Sequence, residues 1–176
     1  MSFYKSLKTE RLILKPTSKE DAEFILELLN TPKWIEYIGD RNVHSIEDAK
    51  NYIQNKMLPQ LKKLGYANYT VIKELDKIKI GTCGLYDREG VDGIDIGFAF
   101  LPKYENNGFA FEAANKLIKT AFKKFNISKI NAITTKNNFR SQKLLLKLGL
   151  KFDKIIKLPN DNEKLLLYTL SNLTTV

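Results

Sequence analysis

The spacing of apolar residues changes repeatedly along the chain, and each change marks an element. Arg11-Leu12-Ile13-Leu14-Lys15 is an apolar run closed by Pro16 and predicts a first strand. Ser18 and Asp21 form a capping box, after which Ala22, Ile25, Leu26 and Leu29 fall at helical spacing. A short segment around Trp34–Ile38 follows. Ser45 with Asp48 then opens a second helix over Ile46, Ala49, Ile53, Met57 and Leu61, stopped at Gly65.

The middle of the chain reads as β. Ala67–Lys73, Ile78–Tyr86 and Gly93–Leu101 are β-rich runs separated by polar turns, the pattern of an antiparallel meander. After Leu101 the period lengthens. Ala110, Ala113, Ala114, Leu117, Ile118, Ala121, Phe122 and Phe125 make an unbroken helical stripe, with Lys116, Lys119, Lys123 and Lys124 mostly off it. Lys129–Thr135 predicts a strand, Asn138–Leu148 a helix ended by Gly149, and 151–158 and 163–170 two closing strands. The order β-α-α-β-β-β-α-β-α-β-β predicts an α/β (α+β) fold with a mixed sheet, not a doubly wound one. No repeat or long Gly/Ser/Pro linker interrupts it, so residues 1–176 are expected to form a single domain.

Charge adds a second pattern. The 176 residues carry a net charge of +9, and residues 1–100 are neutral, so the whole excess follows residue 100. Between Glu112 and Asp153 there is no acid. Such a half suits an anionic partner: a nucleic acid, a membrane surface or a phosphorylated small molecule. No apolar run is long enough for a transmembrane helix, and the N-terminus lacks a secretory apolar core, which points to the cytoplasm. Cys83 and His44 are each the only residue of their type, which excludes a disulfide framework, a Cys/His zinc site and a His-based catalytic pair. No metal is expected. Cys83, on a central strand with no base linked to it, reads as a buried structural thiol.

The chemistry therefore falls to carboxylates, hydroxyls, amides, lysines or backbone. The strand ending Ile96-Gly97-Phe98-Ala99-Phe100-Leu101 runs through an Asn/Gly-rich turn into the long helix. A helix start offers unpaired N–H groups and the positive end of the dipole, and Gly108 lets an anion approach the backbone. Neither a Walker loop nor a dinucleotide fingerprint is present. Downstream, Asn138-Phe139-Arg140-Ser141 opens the second helix and Lys147-Leu148-Gly149-Leu150 ends it.

Together with Thr9-Glu10-Arg11-Leu12-Ile13-Leu14 and Gly108-Phe109-Ala110-Phe111-Glu112-Ala113, these motifs resemble the GNAT superfamily of acyl-CoA-dependent N-acetyltransferases, and within it the Rim-type branch that includes ribosomal-protein acetyltransferases. The resemblance covers about residues 7–170. It implies a mostly antiparallel mixed sheet, splayed at the acyl-CoA site and flanked by helices, and transfer of acetyl from acetyl-CoA to a primary amine by direct attack. Asn106, Asn107, Gly108, Phe109 and Ala110 would cradle the pyrophosphate through their amides. Phe98–Leu101, with Ala99, Phe100 and Leu101 as contacts, would pair with the pantetheine arm and aim an N–H at the thioester oxygen. Asn138 would bond the pantetheine end. Ser141 would lie beside it, and Lys136, Arg140 and Lys143 would meet the 3′-phosphate. Asp95, on the same strand face as Gly97 and Ala99, is the candidate base, directly or through water, and Ser141 the candidate acid.

The chain departs from the family pattern at Glu105, where Gln, Arg or an aromatic is usual, and at Leu145, where many relatives carry Tyr. Two other readings stand beside the enzyme: a CoA-binding domain without turnover, and a nucleic-acid-binding domain using the basic half. The amine acceptor is open, and relatives commonly form homodimers.

Overall fold

The computed structural model describes residues 5–172. A two-residue strand β1 (Leu7–Lys8) and β2 (Leu12–Pro16) lead into α1 (Ala22–Leu29) and α2 (Pro32–Tyr37). Next come α3 (Ile46–Tyr52) and α4 (Leu58–Leu64), then the meander β3 (Asn68–Lys73), β4 (Lys79–Asp87) and β5 (Ile94–Phe100). The long α5 (Phe109–Lys124), β6 (Lys129–Thr135), α6 (Phe139–Lys147), β7 (Lys151–Ile156) and β8 (Leu165–Ser171) complete the chain.

All eight strands form one sheet in the order β1-β2-β3-β4-β5-β6-β8-β7. Every neighbouring pair is antiparallel except β5 and β6. Strand parity splits the residues between two faces. Val71, Cys83, Leu85, Ile96 and Ile130 are buried on one face against Leu117 and the small Ala113, Ala114 and Ala121 of α5, which admit close approach. Ala99 and Leu101 belong to the other face, with Ile25, Leu28, Ala49 and Ile53 of α1, α3 and the turn after α3.

The helix expected from Ile46 to Leu61 is broken in the middle. Residues 53–57 form a wide π-turn in which Leu58 N–H donates to Ile53 O. Pro59 explains it: a proline there has no N–H for Asn55 O and would clash with it, so the helix widens by one residue just before. The two-residue β1 had no signal in the apolar pattern, being too short to alternate.

Candidate active site

The parallel pair β5–β6 is where the sheet opens. Each strand has seven residues, yet they are in register only at Ile94↔Ile130 and Asp95↔Asn131. Beyond this crotch β5 continues along β4 to Phe100, while β6 follows β8 to Thr135. A wedge-shaped cleft therefore lies between Ile96–Phe100 and the second half of β6.

The β4–β5 register decides which main-chain groups face that cleft. Leu101 N–H donates to Ile80 O at 2.9 Å, and Gly81 pairs with Phe100. In an antiparallel ladder, hydrogen-bonded pairs alternate, so the Leu101 N–H and both main-chain groups of Ala99 and Gly97 turn toward β4, while Leu101 O accepts from Tyr104 N–H in the following turn. The groups aimed at the cleft belong to Ile96, Phe98 and Phe100. This corrects the expectation for Ala99 and Leu101: Ala99 is spent on β4, Leu101 on β4 and the turn at Tyr104, and Phe98 and Phe100 carry the free edge. A sequence without a register cannot distinguish the two alternations.

At the end of β5 the chain makes a single tight turn at Pro102–Tyr104 and reaches α5 through Asn106 and Gly108, both at positive φ (60° and 79°). Gly108 caps α5, and the first helical bond runs from Glu112 N–H to Gly108 O at 3.0 Å. The N–H groups of Phe109, Ala110 and Phe111 therefore have no intrahelical acceptor, and with the helix dipole they make an anion-binding end. Asn107 and Asn106 are exposed beside it.

A residue not assigned a role by the sequence holds this turn. Arg11 donates through Nε to Glu112 Oε2 (2.7 Å) and through Nη1 to Asn107 O (3.0 Å), and its guanidinium lies 4.6 Å from the centre of the Phe109 ring. Glu112 also accepts from Thr9 Oγ1 (2.5 Å) and Arg11 N–H (2.9 Å). Burial alone would raise the Glu112 carboxyl, but these hydrogen bonds and the guanidinium hold it below the ordinary glutamate value. The Thr-Glu-Arg opening thus fixes the first turn of α5 from 100 residues away. A Cβ on Gly108 would sit 3.3 Å from Arg11 Nη2.

Glu105 is neutralised by its neighbours. It forms ion pairs with Lys33 of α2 and with Arg140 Nη1 of α6 (2.9 Å). The carboxylate ties α2 and the start of α6 to the anion-binding turn. Arg140 is thereby committed to Glu105, whereas Lys136 and Lys143 are exposed and have no acid partner among the described residues. Asn138 caps α6, its Oδ1 accepting from Ser141 N–H at 3.2 Å. The Ser141 side chain is half-buried at the same helix start. Leu145 is 1% exposed and packs in the core beneath α5, so no proton donor comes from that position.

Asp95 stands at the crotch of the cleft, its side chain 1% exposed. Arg88, across the β4–β5 turn, places Nε 3.2 and 3.3 Å from the two carboxylate oxygens. Burial pushes the Asp95 carboxyl up; Arg88 opposes this without cancelling it. Beside it Tyr86 lies flat over Gly84 and Gly97 and donates to Asn68 Oδ1 at 2.5 Å. A Cβ at Gly84 would meet the Tyr86 hydroxyl at 2.5 Å, which is why the sheet carries glycines there. Asn131, the register partner of Asp95, donates to Asp92 O but leaves its buried Oδ1 without a partner. Cys83 is fully buried on the other face with its thiol pushed far up, a structural role.

A sheet that opens between two parallel strands and delivers one of them into a glycine-capped helix start is the geometry that the motifs implied. Residues 11–151 match the acetyltransferase (GNAT) domain family. The chain belongs to the GNAT acetyltransferase family. It is 30% identical over 152 residues to YoaA, an uncharacterised N-acetyltransferase of Bacillus subtilis strain 168, covering 86% of this chain and 85% of YoaA. The crystal structure of a GNAT-family acetyltransferase from Bacillus anthracis superposes with a TM-score of 0.77 at 26% identity, covering 95% of this chain and 98% of that one. RimL, the ribosomal L7/L12 α-N-protein acetyltransferase, solved with coenzyme A, gives a TM-score of 0.81 at 15% identity, covering 95% and 98%. That last likeness is one of fold, in keeping with the Rim-type resemblance. As a GNAT protein the chain is an acetyltransferase, and no helix among its described residues is long and apolar enough to cross a membrane.

Proposed function

We propose that this enzyme transfers the acetyl group of acetyl-CoA to a primary amine, on a protein N-terminus or a small molecule, by direct attack in a ternary complex. The observation that carries the reading is the free edge of β5, which ends in the glycine-capped start of α5. An extended pantetheine arm adds to Ile96–Phe100 as a strand would, through the main chain of Phe98 and Phe100. The pyrophosphate meets the amides of Asn106, Asn107, Gly108, Phe109 and Ala110. The Asn138 side-chain amide and the exposed Lys143 bound the same cleft from α6.

Catalysis then asks for three things of this chain. The amine must lose a proton before it attacks, and Asp95 is the carboxylate on the acceptor face. It lies three residues from Phe98, about 10 Å along the strand, so the proton passes through water. Burial raises the affinity of Asp95 for a proton, which suits a base. Phe98 N–H points to where the thioester oxygen gains charge, an oxyanion-type contact. The departing thiolate takes a proton from Ser141 or an ordered water, which regains one from the attacking nitrogen as the amide forms. Positioning in the cleft supplies much of the remainder. A lone, buried Cys83 and the use of acetyl-CoA fit the cytoplasm.

The test is a pair of measurements on one preparation. Acetyl-CoA at one hundred times its Kd should raise the melting temperature by about 5–10 °C. Thiol release from acetyl-CoA should then depend on an added amine from a panel of peptides, polyamines and amino sugars. No shift at millimolar acetyl-CoA contradicts the reading. A shift without turnover on any amine makes the protein a CoA-binding domain instead.

A further inference from the structure

The acid-free stretch of the sequence divides in space. Lys136, Arg140 and Lys143 lie at the start of α6, beside the cleft. The lysines of α5 do not. Lys116, Lys119, Thr120, Lys123 and Lys124 line a separate cavity of about 430 Å³, closed on its other side by Ser6, Leu7 and Lys8 at the edge of the sheet. Lys116, Lys119, Thr120 and Lys123 are spaced i, i+3, i+4 and i+7, one face of the helix. Among the described residues none of these α5 lysines has an acid within ion-pair distance. Lys8 has only Glu74, at 3.7 Å.

Five lysines thus share one groove with no carboxylate in its lining. The helix dipole accounts for Lys123 and Lys124 in the last turn. It does not account for Lys116 and Lys119 in mid-helix, nor for Lys8 facing them from a strand. Brought together, these charges repel one another, and a bound polyanion relieves the repulsion.

The lining also selects among polyanions. It holds no aromatic side chain and no arginine, so it has neither a stacking platform for bases nor a fork for phosphates. Its one large apolar side chain, Leu7, is half-buried and packed against the core, which leaves little to insert into a lipid surface. Its shape is long: Lys116 to Lys123 spans about 10 Å along the helix. Lys116, Lys119 and Lys123 follow one another at about 4.5 and 6 Å along the axis, within reach of the carboxylates that an acidic extended chain carries at about 3.3–7 Å.

We infer that the groove between β1 and α5 is a docking site for an acidic, extended polypeptide segment, distinct from the acetyl-transfer cleft. Lys116 lies two helical turns from the capping Gly108, on the far side of α5 from α6.

A fluorescein-labelled octaglutamate peptide, titrated by anisotropy at 50 and at 300 mM salt, tests this. The peptide should bind at low salt, and the K119E/K123E protein should bind it at least tenfold more weakly. A charge-matched control, K154E/K157E, should bind like the wild type. Both variants should fold and keep the rise of the melting temperature with acetyl-CoA, because both pairs are exposed and outside the cleft. Equal binding by wild type and K119E/K123E overturns the inference. So does tighter, K119E/K123E-sensitive binding of octauridylate RNA or of phosphatidylserine vesicles.

Discussion

The two sides of the cleft are built on different principles. The donor side, β5 through the start of α5, is made of backbone: the free edge of Phe98 and Phe100 and the orphan amides of one helix turn. Side chains there act at a distance, as Arg11 and Glu112 do by fixing the turn. The side proposed for the acceptor is made of side chains: Asp95, Asn68 and Asn131 are buried, and Tyr86 and Arg88 reach them from a partly exposed position. A backbone site tolerates change in most of its side chains and fails at the one position where a Cβ intrudes. A side-chain site fails wherever a functional group is altered. Each side should therefore be separable by mutation.

The largest separation is expected at Gly108. Valine there must hold a φ near +79° that a β-branched side chain resists, and it covers the first-turn amides. The 5–10 °C acetyl-CoA shift should vanish, corresponding to a loss of roughly a hundredfold or more in affinity. A retained shift places the donor elsewhere.

Asp95→Asn should do the opposite. The acetyl-CoA shift should persist while kcat falls by about 10²–10³, the worth of a positioned base. The pH profile carries the same information. As the proposed base Asp95 must be ionised, so kcat/KM should fall as pH drops through its raised pKa. Arg88→Gln removes the charge that favours the ionised form, so that acid limb should move to higher pH. A limb unmoved by Arg88→Gln takes Asp95 out of the proton transfer.

Glu112→Gln tests the support of the donor turn. The wild-type carboxyl titrates below its unfolded value, so its stabilisation is present above about pH 4.3 and is lost as pH falls through the lower folded value. The variant should be less stable by about 1–2 kcal/mol at pH 7, read by denaturant melts, and the gap should close below about pH 4. A gap independent of pH would point to packing instead. The smallest effect is expected at Arg140, whose side chain is 68% exposed. Its replacement by alanine should change stability by less than about 0.5 kcal/mol, for an exposed ion pair contributes little.

The donor side was legible in the sequence because backbone sites write themselves as local pattern. The α5 stripe, Gly108 and the Asn138 cap each lie within one short continuous segment, and helices start and run there as expected. The acceptor side and the supports were not legible, because their partners are distant. Arg11 meets Glu112 across 101 residues, Lys33 meets Glu105 across 72, and Tyr86 meets Asn68 across 18. Glu105 illustrates the difference. As a letter in a motif it is a carboxylate beside an anion site; in the fold it is held between two cations. The alternation of β5 was hidden too, since Ala99 and Phe100 look alike until Leu101 is seen to donate to Ile80. Pro59, visible in the sequence, widened α3 into a π-turn that the apolar stripe passed over.

The central claim is that the acetyl donor occupies the cleft through the main chain of β5 and the start of α5. Amide hydrogen exchange, resolved by residue with and without acetyl-CoA, tests it most directly. Phe98, Phe100 and Asn107 through Ala110 should slow on binding, while Ala99 and Leu101, already bonded to β4, should change little. Protection confined to other segments, or none at saturating acetyl-CoA, would contradict the account.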